Sequence, residues 1–79
     1  MQYIAQNRYK QMQNLGEQIA QRRKHFNISQ ADLAEMAGVS LRTVSGIENG
    51  SANPSLDVLS KILEILGLTI TLQERVIHD

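Results

Sequence analysis

Arg22, Arg23 and Lys24 follow one another directly, with His25 next, and form the densest cluster of ionisable side chains in the sequence. Adjacent cations suit two physical roles. They suit the C-terminal end of a helix, where the macrodipole favours positive charge, and they suit contact with phosphate oxygens. His25 reads as a surface residue at that helix end, not as a catalytic base. The other histidine, His78, stands too far along the chain to make a ligand pair with it by local spacing. The absence of cysteine excludes disulfides and thiolate zinc sites. No Ser/His/Asp arrangement, carboxylate pair or glycine-rich phosphate loop can be assembled from neighbouring residues. The chemistry on offer is binding. No enzymatic activity, cofactor or metal is expected.

Charge gives that binding a direction. The formal net charge is zero. Yet residues 1–28 carry Arg8, Lys10, Arg22, Arg23 and Lys24 against Glu17, a net +4, while the rest of the chain carries a net −4. Such a molecule has a basic and an acidic side, and a nucleic-acid partner stays open despite overall neutrality. The plain alternative is a solvated surface with unevenly spread charge.

The elements that position these groups are short and well punctuated. Seventy-nine residues make one small domain. No apolar run approaches a membrane span and no signal pattern opens the chain, so a soluble protein of the cytoplasm is expected. Leu15, Ile19, Arg22 and Phe26 recur at helical spacing, with Asn14 as N-cap, Glu17 at the capping-box position and Asn27 suited to a left-handed stop. Residues 1–13 are rich in glutamine and read either as added helical turns or as a loose arm. Ser29 caps a helix over residues 30–37 with Leu33, Ala34 and Ala37 inward. After Gly38 and Val39, Ser40 caps another helix from residue 41 to about 49, with Val44 and Ile47 inward. A loop containing the single proline, Pro54, leads to Ser55, which caps a helix over residues 56–66. There Leu56, Leu59, Leu63 and Leu66 form the core stripe, and Val58, Ile62 and Ile65 widen the apolar arc beyond what one surface helix needs. Residues 68–73 alternate apolar and polar, a strand signal. A lone strand leaves an open edge, which pairing with a second copy would close.

Two short helices joined through Ala37, Gly38, Val39 and Ser40 are the helix-turn-helix pattern. Residues 14–68 resemble the Cro/phage-repressor (XRE-type) helix-turn-helix domain. The resemblance is carried by Leu15-Gly16-Glu17, Ile28-Ser29-Gln30-Ala31-Asp32-Leu33-Ala34, Gly38-Val39-Ser40, Ile47-Glu48-Asn49-Gly50 and Asn53-Pro54-Ser55-Leu56. The ending Leu66-Gly67-Leu68-Thr69-Ile70-Thr71-Leu72 is similar to that of HipB-type antitoxins, which add a C-terminal strand.

The resemblance implies an all-α, lambda-repressor-like domain of four to five helices, with a short C-terminal β-strand that pairs across a homodimer. Residues 1–13 are then an extension, 14–67 the domain, and 68–79 the dimerisation strand and tail. It implies that the helix from residue 41 enters the major groove of an operator. Arg42, Thr43, Ser45, Gly46 and Asn49 would read bases, with Ser29, Gln30, Ser40, Arg23 and Asn53 on phosphates. Val58, Ile62, Ile65, Leu68, Ile70 and Leu72 would form the dimer interface. The implied function is a repressor acting in the cytoplasm on the nucleoid, specialised as an antitoxin for a HipA-like kinase toxin. A phage or plasmid repressor without a toxin, or an interaction module with weakened DNA binding, are the alternatives. Leu41 and Gly46 depart from the family pattern at positions where polar or basic residues are frequent, which thins direct readout.

Overall fold

A computed structural model describes residues 2–74, of which residues 2–12 are described by their backbone alone. Three serines start three helices by the same device. Ser29, Ser40 and Ser55 each hold extended backbone, and each hydroxyl oxygen accepts from the amide three residues on, at Asp32 (3.0 Å), Thr43 (3.0 Å) and Val58 (3.2 Å). A serine cap of this kind contributes about 1 kcal/mol. The helices that follow are α2 (Gln30–Ala37), α3 (Leu41–Glu48) and α4 (Leu56–Ile65).

The first helix, α1, runs over Gln2–His25. Asn14 is therefore an exposed residue inside a continuous helix, and the expected cap at that position does not form. The cause lies upstream. Residues 2–13 contain no glycine or proline and several glutamine, lysine, arginine and methionine residues, so nothing interrupts the helix before Asn14. Its end follows expectation. Arg22, Arg23, Lys24 and His25 occupy the last turn, Asn27 takes φ 57°, and the Ile28 amide donates back to the Arg23 carbonyl at 3.2 Å.

Between α2 and α3 the chain turns at Gly38, whose φ of 70° is costly for any residue with a Cβ. Val39 then donates to the Ala34 carbonyl at 2.9 Å, which draws the turn against α2. The core comprises Ile19 of α1, Leu33, Ala34 and Ala37 of α2, Val44 and Ile47 of α3, and Ile62, Leu63 and Leu66 from α4 and its end. Two apolar residues expected inside lie outside. Phe26 is 45% exposed and packs under the Arg22 guanidinium, 4.8 Å from its ring centre, and Leu56 is 68% exposed. Ile62, expected at a dimer surface, is fully buried in its own chain. The buried arc of α4 and its end thus comprises Ile62, Leu63 and Leu66, with Leu59 partly buried against them, because helical spacing defines the width of an apolar arc better than its midpoint.

The described residues hold four helices and no strand. Residues 68–74 lie in irregular backbone, with Ile70 42% and Leu72 99% exposed. The reason is physical: a strand needs an edge to pair with, and a single copy of this helical chain offers none.

Gly16 sets the spacing between α1 and α3. A Cβ there would lie 2.6 Å from the Glu48 carbonyl oxygen and closer still to that of Ile47. Only a bare Cα admits the end of α3 this close. Alanine at an exposed helical glycine gains about 1 kcal/mol of propensity, but Gly16→Ala is expected to lose stability by about 2 kcal/mol or more, as overpacking against backbone does. Urea unfolding followed by circular dichroism measures this, and a stabilised Gly16→Ala chain would contradict the close approach.

Candidate nucleic-acid interface

Gly16, Ile19 and Arg23 share one face of α1, and that face is turned to the core. A guanidinium carried inward needs a counter-charge, and Glu48 at the end of α3 supplies it. Arg23 Nε donates to Glu48 Oε2 at 2.6 Å and Nη2 to Oε1 at 2.9 Å, a bidentate pair with side chains 11% and 7% exposed. The third branch, Nη1, donates to the Ile28 carbonyl at 2.8 Å. Arg23 is therefore an interior ion tying α1 to α3 and to the entry of α2, and its expected place on a phosphate is corrected. The sequence held a signal for this: Arg23 lies four residues after Ile19 and seven after Gly16, on the buried stripe. Glu48, which the sequence reading did not single out as a functional residue, falls on the α3 stripe of Val44 and Ile47.

Gln30 joins the same carboxylate, its Nε2 donating to Glu48 Oε1 at 3.0 Å. Burial pushes the Glu48 carboxyl up, but the hydrogen bonds from Arg23 and Gln30 and the charges of Arg23 and Lys24 outweigh it and hold the group below the ordinary glutamate value. The hydrogen bond to Glu48, with its charge, raises Arg23 against its desolvation. Both partners stay ionised at neutral pH.

Around this pair the expected site residues take up distinct positions. Arg42 is exposed one residue into α3, beside Leu41, which is 50% exposed. Thr43 is half-buried, its hydroxyl 2.8 Å from that of Ser40, so cap and side chain are locked together. Ser45 is half-buried, and Asn49 is exposed with its Oδ1 accepting from the Ser51 amide at 2.9 Å. Ser29 and Asn53 are exposed. Gly46 differs from expectation. Its carbonyl accepts from the Ser51 and Ala52 amides at 3.0 and 3.1 Å, and a Cβ would lie 3.0 Å from the Ala52 Cβ. Gly46 faces the returning loop rather than an open groove, because a helical wheel takes no account of the chain folding back over it. The structure brings Ser40, Arg42 and Thr43 together at the start of α3 and leaves Gly46 beneath the α3–α4 loop.

A helix-turn-helix family profile matches residues 19–73 of the chain. The chain belongs to the helix-turn-helix family. The match spans the end of α1 from Ile19, the α2–α3 pair, α4 and the residues after it, and the Cro/phage-repressor (XRE) type is supported. Proteins of this family are non-enzymatic DNA-binding proteins. A transcriptional regulatory protein of the helix-turn-helix type from Methanothermobacter thermautotrophicus is 39% identical over 57 residues, covering 72% of this chain and 18% of the relative. The regulator SinR of Bacillus subtilis is likewise 39% identical over 57 residues, covering 71% of this chain and 51% of SinR. The chain therefore spans only part of the length of these relatives. The restriction-modification controller protein C.AhdI from Aeromonas hydrophila superimposes with a TM-score of 0.73 at 28% identity, over 77% of this chain and 92% of that one. Among the described residues no helix is long and apolar enough to cross a membrane, and no group of three or more metal-ligating side chains forms.

Within this helix-turn-helix domain the Glu48 carboxylate makes stability depend on pH. Its folded pKa lies below the unfolded value of about 4.3, so its contribution is complete above that value and is lost as pH falls through the lower, folded one. Unfolding midpoints in urea should therefore fall in acid below about pH 4. Glu48→Ala is expected to cost roughly 3 kcal/mol at neutral pH, the cost of stranding a buried partner, and to flatten this acid dependence. An unchanged acid profile in Glu48→Ala would assign the dependence to other carboxylates.

Proposed function

We propose that the chain is a DNA-binding transcriptional regulator that places α3 in the major groove and represses a promoter, its own in the first instance. The observation that carries this reading is the exposed Arg42, set beside the locked Ser40–Thr43 pair at the start of the second helix of a helix-turn-helix. Its fork suits guanine O6 and N7. Thr43, Ser45 and Asn49 flank it as further base contacts. Ser29, Gln30, Ser40 and Asn53 are the proposed phosphate contacts, at helix N-termini and in the loop after α3. A mobility-shift assay on the promoter of the chain's own gene tests the reading directly. On that DNA, Arg42→Ala should lose about 1–3 kcal/mol and relax the preference at one base pair. An equal loss on operator and on mixed-sequence DNA would remove Arg42 from base reading.

Homodimerisation is the second part of the proposal. Leu56, Leu63, Leu68, Ile70 and Leu72 line an apolar groove of about 520 Å³ between α4 and the residues after it. A second copy pairing along residues 68–73 would cover it and give the irregular segment the edge it lacks. With Ile62 in the protomer core, the proposed contacts are Val58, Ile65, Leu68, Ile70 and Leu72. The same ending supports specialisation as a HipB-type antitoxin, acting in the cytoplasm with a HipA-like kinase toxin. A kinase-like reading frame beside the gene would support that specialisation, and a repressor without a toxin is the reading if none is there. Removing residues 68–79 should leave a helical chain that sediments as a monomer and binds a two-half-site operator poorly. A tight dimer surviving the truncation would exclude this segment as the dimerisation element.

A further inference from the structure

Gln30 stands at the first position of α2, half-buried, where a helix start meets the proposed phosphate path. Its Nε2 carries two N–H bonds. One is given to Glu48 Oε1 at 3.0 Å, and among the described residues nothing accepts from the other or donates to the amide oxygen. The carboxylate is an acceptor only, so the opposite turn of the amide would set oxygen against oxygen. Glu48 thus decides which way the Gln30 amide faces. Arg23 neutralises the same carboxylate through two hydrogen bonds, so an approaching anion meets a compensated charge behind Gln30.

From this arrangement we infer that Glu48 is a positioning residue for DNA binding: it holds the Gln30 amide in the one orientation that leaves its second N–H to donate to a phosphate oxygen. The inference rests on the DNA-binding reading above and deepens it by naming the group that prepares one contact. Glu48 itself touches no DNA. A side chain ordered in advance does not lose its rotamer freedom on binding, an advantage of about two- to tenfold in affinity.

The test is a double-mutant cycle on the full chain, titrated by fluorescence anisotropy against a mixed-sequence DNA duplex, since a phosphate contact needs no particular sequence. Gln30→Ala and Glu48→Gln should each weaken binding by about two- to tenfold. Combined, they should bind no more weakly than Gln30→Ala alone, because Glu48 acts only through Gln30. Fully additive losses, or a Glu48→Gln chain that binds as tightly as the unaltered one, would overturn the inference while leaving the DNA-binding reading intact. An unaltered chain that does not bind the duplex at all would overturn both. Should Glu48→Gln fail to fold, NMR of the unaltered chain decides. In the DNA-free protein one Gln30 side-chain amide proton should lie downfield of its place in a solvent-exposed glutamine, shifted by the hydrogen bond to Glu48, and added duplex should move the other proton far more. A pair with the shifts of a solvent-exposed glutamine before DNA is added, or that moves equally with it, overturns the inference.

Discussion

The Glu48 carboxylate receives three hydrogen bonds from two side chains, and through them the end of α1, the start of α2 and the end of α3 are closed onto one another. Taking two charges out of water costs several kcal/mol, and here the cost is offset by bidentate geometry and by the further donors and acceptor around the pair. Removing either partner would strand the other. The pair therefore stabilises less by its own net energy than by the penalty it places on any arrangement that separates α1 from α3. Gly16 is the steric half of the same constraint. The charged pair can close only because the α1 backbone lies against the last carbonyls of α3, where a side chain would hold the helices apart.

A helix of eight residues such as α3 has little stability of its own. Its orientation comes from what it is packed on. Val44 and Ile47 press it to α2 and the core, Ser40 caps its entry, and Glu48 anchors its exit. The two ends thus do different work. The start, with Arg42 exposed, is left to solvent, whereas the last residue of the helix is held by its side chain and by its contact with α1. Rigidity at the exit serves the positioning of the entry, since a helix fixed at one end and along one face has little freedom to swing.

Much of this was legible in the sequence because it is local. The serine caps, the left-handed Asn27 and Gly38, and the inward stripes of α2 and α3 each depend on a few neighbouring residues, and all appear where spacing puts them. What failed depended on something further away. Asn14 and Glu17 satisfy a capping box, yet a helix already running from Gln2 has no reason to stop and restart there. Leu56 lies at one edge of the apolar arc and Ile62 well inside it, and packing against the rest of the domain leaves Ile62 buried and Leu56 exposed. Gly46 falls on the outward face of a wheel, but Ser51 and Ala52 return over it to reach its carbonyl. Arg23 was assigned by charge to the surface, although its place on the Ile19 stripe pointed inward. In each case local pattern named the residue type correctly and tertiary context assigned the neighbour.

The position of Gly46 bears on how such a domain would discriminate among DNA sequences. With that residue beneath a loop, one residue fewer on α3 reaches outward, and the proposed direct readout would concentrate on Arg42 and its immediate neighbours. A single bidentate contact discriminates by about 1–3 kcal/mol, far short of the roughly 4–10 kcal/mol that separates specific from non-specific binding in typical regulators. The difference has to come from elsewhere. Two copies double the base contacts, and a fixed spacing between recognition helices rejects sites whose half-sites are wrongly placed. Ordered phosphate contacts can also sense the shape of the duplex. The fewer bases one protomer reads, the more specificity would depend on geometry: on how firmly Glu48 and Gly16 set α3 within the domain and, in the proposed dimer, on how the residues after α4 would set one domain relative to another.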